Sequence, residues 1–253
     1  MSSSYLIKSR DSPNKHKEMT PSTFSIGSDW SSVAYHDLLH TESAALAPSM
    51  AAYMKGHFAF LGIPKPLRTQ IQRRHWAERP RKSEAIACIH ELWILPFREA
   101  QYLACDLLKA ESKYWTPTDA LTSLECWITT KSWWDSVDTL AVHGVGVLLR
   151  RHPDEVWSTV QQWVYSENMW LNRTAMICQL GFRGETRTEW LDEALSAHSH
   201  SREFFHRKAI GWALRDYGKT NPKWVRQWVD AHPELSGLSR REALRLLGSR
   251  EEA

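Results

Sequence analysis

Trp134 and Asp138 lie four residues apart, so on a helix their side chains are neighbours on one face. They fall off the apolar row Trp133, Val137, Leu140, Ala141, Gly144, Val145 and Leu148, which reads as the core stripe of a helix over 132–150. A carboxylate beside an indole, away from the core, is unusual, and its bland reading is a surface charge. A second helix, Arg202–Tyr217, shows the same division. Phe205, Ala209, Ile210, Ala213, Leu214 and Tyr217 make its apolar stripe, while Phe204, Lys208, Trp212 and Arg215 line another face. Cations interleaved with aromatic rings suit a phosphate backbone with its sugars and bases. The bland alternative is a cation–π cluster that serves stability alone. Trp170 and Arg173, three residues apart, repeat the combination on a third helix.

Other chemistries find little support. The chain has 12 histidines but no His-Glu-x-x-His or comparable ligand spacing. His198 and His200 read as solvated residues of a loop. Gly144-Val145-Gly146 is a fragment of a nucleotide-binding pattern without its third glycine or preceding strand. No Gly-x-Ser-x-Gly or phosphate-binding loop occurs, so neither a metal nor a cofactor is expected. Cys88, Cys105, Cys126 and Cys178 are widely spaced within apolar helical stretches, the pattern of reduced, mostly buried thiols.

The net charge of +3 is unevenly spread. Lys65–Lys82 and Arg202–Arg250 each carry a local balance of +6, which leaves the rest of the chain at −9. Two basic segments in an otherwise acidic chain point to an anionic partner, or to two solvated helix faces. The 14 tryptophans outnumber the 7 phenylalanines and the 7 tyrosines, and such flat, polar-edged rings suit wet interfaces as well as cores. No apolar run approaches the ~20 residues of a membrane span, and no secretory signal is visible. A cytoplasmic monomer, nucleoid-associated in a bacterium, is the expectation.

These side chains must be positioned by helices. Residues 1–28 read as a flexible extension, and 29–250 as one domain. Helices are expected near 30–56, 66–77, 83–94, 97–110, 117–129, 132–150, 153–164, 168–181, 187–197, 202–218, 222–231 and 238–248. Pro66, Pro96, Pro117, Pro153 and Pro222 mark helix starts. Many short helices with short connections suggest stacked pairs, as in arrays of ~40–47 residues per unit. Such a solenoid offers one concave surface, which fits duplex DNA or another protein.

Several blocks resemble the AlkD-like DNA alkylation repair proteins. They are Tyr53-Met54-Lys55 with Phe60-Leu61-Gly62-Ile63, Glu91-Leu92-Trp93 with Arg98-Glu99, and Thr130-Lys131-Ser132-Trp133-Trp134-Asp135-Ser136-Val137-Asp138. Further on come Trp170-Leu171-Asn172-Arg173, Glu203-Phe204-Phe205, Lys208-Ala209-Ile210-Gly211-Trp212, Leu214-Arg215, Lys219-Thr220-Asn221-Pro222 and Leu238-Ser239-Arg240-Arg241-Glu242-Ala243. The blocks run in order from about residue 45 to 247. The resemblance implies an all-α, right-handed superhelical solenoid of HEAT-like repeats with duplex DNA in its concave groove. It implies hydrolytic release of cationic N3- and N7-alkylated purines while the base stays stacked. It also implies Asp138 as catalytic carboxylate, Trp134 and Trp212 flanking the sugar of the lesion, and Tyr53, Arg173 and Arg215 holding the strand, with Lys208 on the same row. One departure stands out: Gly181 follows Gln179-Leu180 where related sequences often have lysine, and Arg183 is the candidate to supply that phosphate contact.

Two other classes remain open at this point. A non-catalytic relative could bind unusual DNA structures through the same groove, but the presence of Asp138 favours an enzyme. A protein-binding scaffold has no need for Trp134, Asp138, Trp212 and Arg215 together off the core stripes.

Overall fold

The structure is a computed structural model, and it describes residues 29–248. The expected extension over 1–28 and the last residues of the expected domain lie outside that range. The elements in order are α1 (Asp29–Leu39), α2 (Ala47–Tyr53), α3 (Lys65–His75), α4 (Glu84–Ile94), α5 (Arg98–Glu111), α6 (Pro117–Thr129), α7 (Trp134–Leu140), α8 (Gly146–Arg151), α9 (Pro153–Val164), α10 (Met169–Ile177), α11 (Thr188–Ser196), α12 (Phe204–Tyr217), α13 (Pro222–Ala231) and α14 (Gly237–Leu244). Among the described residues there is no strand, only an isolated bridge between Ala59 and Phe97. The chain is an all-α helical-repeat solenoid.

Prolines set several starts as expected, sitting in the first turns of α3, α6, α9 and α13. Proline lacks an N–H that this turn leaves unbonded in any case. Pro96 instead precedes α5, whose N-cap is Phe97. The expected helix over 30–56 is two helices, because Pro48 opens α2 and cannot continue α1. The loop after α2 is then pinned twice. The Glu99 carboxylate accepts from the backbone N–H groups of Leu61, Gly62 and Ile63 at 3.0, 3.0 and 3.1 Å. Gly62, at φ +84°, lies so near that an added Cβ would fall 2.2 Å from the Ser43 carbonyl oxygen.

Repetition is plain in space. Hydrogen bonds between neighbouring helix pairs join residues 32–38 apart in many places, as in Trp93–Thr130, Trp163–Glu125, Trp228–Asp192 and Ser239–Arg207. Two buried amides close their helix pairs in the same way. Gln101 on α5 donates to the carbonyls of Leu92, Trp93 and Leu95 at the end of α4, and Asn172 on α10 donates to Trp163, Val164 and Ser166 at the end of α9. Each satisfies carbonyls that a helix end leaves open. One continuous apolar core runs from Trp30 to Ala243. The four cysteines are free, and burial raises the thiols of Cys105 and Cys178 to about 12. No helix among the described residues is long and apolar enough to cross a membrane.

The expected helix over 132–150 starts at Trp134 and contains a π-turn at Ala141–Val145. Trp133 is its N-cap in extended conformation, not a member of the helical core stripe. Just past the π-turn, Gly146 packs so closely that an added Cβ would lie 2.3 Å from the Cys178 carbonyl oxygen. Gly146→Ala is expected to lower stability by about 1–3 kcal/mol, because backbone on both sides must shift. A urea midpoint unchanged from wild type would show that α8 and α10 separate freely.

Candidate active site

Asp138 sits one turn into α7 and Arg173 in the middle of α10, and the two form a two-pronged ion pair. Arg173 Nε and Nη2 donate to the two carboxylate oxygens at 2.8 Å each. The third arm, Nη1, donates to the Phe205 carbonyl at 2.7 Å, so α12 is tied to the same group. The Arg173 side chain is only 5% exposed, while that of Asp138 is 16% exposed and keeps an edge toward solvent. Burial pushes the Asp138 carboxyl above its usual range, against the hydrogen bonds and charge of Arg173, which favour the ionised form. A carboxylate has about four acceptor positions, and Arg173 takes two. The open edge can face a cation or a water.

A matching pair lies one turn earlier. Arg98 of α5 is fully buried and donates to Asp135 through Nε at 3.1 Å and Nη2 at 2.5 Å, to Ser136 Oγ at 2.7 Å and to the Lys131 carbonyl at 2.8 Å. Tyr102 donates its hydroxyl to the same aspartate at 2.7 Å. The start of α7, and with it Trp134 and Asp138, is therefore gripped from both sides.

Aromatic rings crowd this face. Tyr53, 69% exposed, meets Trp134 edge-on with centroids 6.3 Å apart. Trp133, Trp170 and Phe205 form a triangle with centroid separations of 4.9–5.8 Å, and exposed His57 lies against Trp133 at 4.2 Å. Phe205, expected in the core stripe of α12, is half-buried and belongs to this triangle. Phe204 beside it is exposed. Trp212 is partly buried against the core two turns along α12 from Phe204.

The remaining expected residues fall into two further groups. Lys208 and Arg215 share Glu242 of α14, Lys208 at 3.1 Å, and these contacts hold Glu242 below the usual carboxylate range. Arg183, at φ +56°, lines a separate open cleft with Gly181, Arg150, Asp216 and Lys219. There Arg150 pairs with Glu185 at 3.1 Å and Lys219 with Asp216 at 2.9 Å. Gly181 has φ +79° and donates its N–H to Asp216 at 2.7 Å, so its backbone favours glycine where a lysine was noted in relatives.

The structure brings Asp138 to Arg173 and Trp134 to Tyr53, two pairings that the spacing within single helices did not indicate. Arg173 is not an exposed cation, however, since all three of its nitrogens have protein partners. The sequence reading did not single out Arg98, Asp135 or Glu242 as partners. Their signal is the offset: Arg98 to Asp135 spans 37 residues, Asp138 to Arg173 spans 35, and Lys208 to Glu242 spans 34. His198, expected in solvent, is half-buried, bonds to the Val164 carbonyl at 2.7 Å and lies 4.6 Å from the His206 ring. Among the described residues no cluster of histidine, cysteine and carboxylate side chains could hold a metal.

A family model described as DNA alkylation repair enzyme matches residues 35–247. The chain belongs to this family. Among solved structures, a predicted DNA alkylation repair enzyme from Enterococcus faecalis is 32% identical and superposes with a TM-score of 0.76 over 83% of this chain and 98% of that one. A comparison with curated proteins finds no match. Membership places the chain in DNA alkylation repair.

Arg173→Met leaves Asp138 half-buried and unpaired, and is expected to cost about 3–5 kcal/mol in urea unfolding. Adding Asp138→Asn should recover much of that loss. Additive single effects would mean that the two side chains act independently.

His206, buried next to Phe205, is held down to about 4 by burial and by the nearby His198. The neutral ring is the folded form, so stability is full above the unfolded value of ~6.5 and falls as pH drops from there toward about 4. Tm measured across that window should decline, with a smaller slope in His206→Gln. Equal slopes would assign the acid sensitivity to other groups.

Proposed function

We propose that this member of the family is a monofunctional DNA glycosylase, which hydrolyses the N-glycosidic bond of cationic N3- and N7-alkylated purines in duplex DNA. In this reading the 29–250 region acts as one domain, a right-handed HEAT-like superhelix with DNA in its concave groove. The observation that carries it is Asp138: a carboxylate fixed by Arg173, open along one edge, on a face built from Tyr53, Trp134 and the Trp133–Trp170–Phe205 triangle.

The chemistry asks for little else. An alkylated purine with a formal positive charge is already a good leaving group, so no acid need protonate it. As the bond breaks, positive charge moves onto the deoxyribose. A preorganised carboxylate stabilises that developing cation and orients the attacking water, as in glycoside hydrolysis. The Arg173 pairing suits this task, since it immobilises Asp138 and favours its anionic form against the burial that raises it. Trp134 and Trp212 would pack ring faces against sugar C–H groups and favour the cation. Tyr53, Lys208, Arg215 and Arg183 would meet the strand, and Arg173 would act on it only through Asp138. Because the leaving base needs no pocket, bulky alkyl groups should be tolerated, unlike in enzymes that extrude the base.

Release of 7-methylguanine from methylated duplex DNA tests the reading. Wild type should release it, Asp138→Asn should lose at least about 100-fold, and neutral hypoxanthine should be released poorly by both. Folded wild type that binds DNA without releasing 7-methylguanine would instead favour a non-catalytic protein for damaged or unusual DNA structures.

A further inference from the structure

Beside Tyr53 lies a cleft of about 360 Å³ between α2 and α3, walled by Met50, Tyr53, Met54 and Phe60, with Lys65 and Arg68 at its basic side. Arg68 is 8% exposed, and its Nε is buried with no hydrogen-bond partner among the described residues. Its guanidinium lies over the face of Tyr102, 4.5 Å from the ring centroid. The acid nearest that ring, Asp135, is already bound by Arg98 and by the Tyr102 hydroxyl. A buried guanidinium nitrogen without a partner is costly and calls for one.

The helix that carries it adds a second, independent observation. The first turn of α3 has no acidic residue and no side-chain cap, and it holds both Lys65 and Arg68. Cations at a helix N-terminus oppose the macrodipole, and this end is the natural seat of an anion. Apart from Ser49 the remaining walls are apolar and aromatic, so the ligand that fits carries a flat or apolar group next to its anion.

We propose that this cleft binds one nucleotide unit, its phosphate on Arg68, Lys65 and the N-terminus of α3, and its base or sugar against Tyr53 and the two methionines. Tyr53 also touches Trp134, so a nucleotide here adjoins the Asp138 face. The proposal rests on the nucleic-acid reading of that face but does not require base release. The phosphate can come from a DNA strand or from a free mononucleotide.

The test uses Arg68→Met, which keeps the stem over Tyr102 and removes the charge. Binding of an unmodified duplex and of dAMP is measured against wild type, with deoxyadenosine as the control without phosphate, and thermal unfolding is followed alongside. Duplex affinity about 10-fold weaker, with the slope of log affinity against log salt reduced by about one, assigns the seat to the strand. Loss of dAMP binding with duplex affinity intact assigns it to a free nucleotide. In either case Tm should hold or rise, because a buried nitrogen without a hydrogen-bond partner has been removed. Unchanged binding of both ligands, with or without a fall in Tm, overturns the proposal and makes Arg68 a structural residue. Should wild type fail to release 7-methylguanine while Arg68→Met still weakens duplex binding, the glycosylase reading fails and the cleft stands.

Discussion

Asp135 and Asp138 lie three residues apart near the start of α7, and an arginine from a different neighbouring helix grips each with two bonds. This double grip is the constraint on which the candidate site depends. A seven-residue helix has little stability of its own, since helix formation pays an early nucleation cost. Arg98 ties it to α5 and Arg173 ties it to α10, and Arg173 reaches on to α12 through the Phe205 carbonyl. The carboxylate that the chemistry would use is thus also a structural link between helix pairs. Moving it would require breaking contacts with elements on both sides, and rigidity of that kind is what electrostatic preorganisation needs.

Local chemistry made much of this legible in advance. Proline in a first turn located α3, α6, α9 and α13, and the four-residue spacing of Trp134 and Asp138 put them on one face off the core. What the spacing could not show was how each charge is answered across the repeat. Trp133 looked like core by periodicity, but periodicity does not reveal that the helix begins one residue later. Phe205 looked like core because it shares a stripe with Ala209 and Ile210, whereas its position at the helix start lets it reach the Trp133–Trp170 pair. The repetition itself was not visible in the sequence: divergent side chains hide a period that the Gln101 and Asn172 amides reveal only as parallel bonds to the preceding helix ends.

The two basic segments show why a charge count is a weak guide to a partner. Many of their cations have internal answers: Arg79 and Arg81 on Glu111, Lys208 and Arg215 on Glu242, and Arg226 and Arg240 on backbone carbonyls. Glu242 therefore tempers the row on α12 that looked most like a phosphate contact. It also fixes the geometry of Lys208 and Arg215, so that under the proposed reading a phosphate would meet cations already in place instead of two mobile side chains. Arg68 is informative for the opposite reason, since its buried Nε has no hydrogen-bond partner among the described residues.

The buried thiols carry a consequence of a different kind. Reagents that alkylate DNA also attack thiolates, and the protein of an alkylated cell is exposed to the damage it helps to reverse. Burial raises the thiols of Cys105 and Cys178 to about 12, which keeps them protonated at neutral pH, and both sulfurs are shut off from solvent. Cys88 is buried as well, which leaves half-buried Cys126 as the thiol most open to attack. The packing that holds the helices together thereby gives the protein chemical tolerance of its own working conditions.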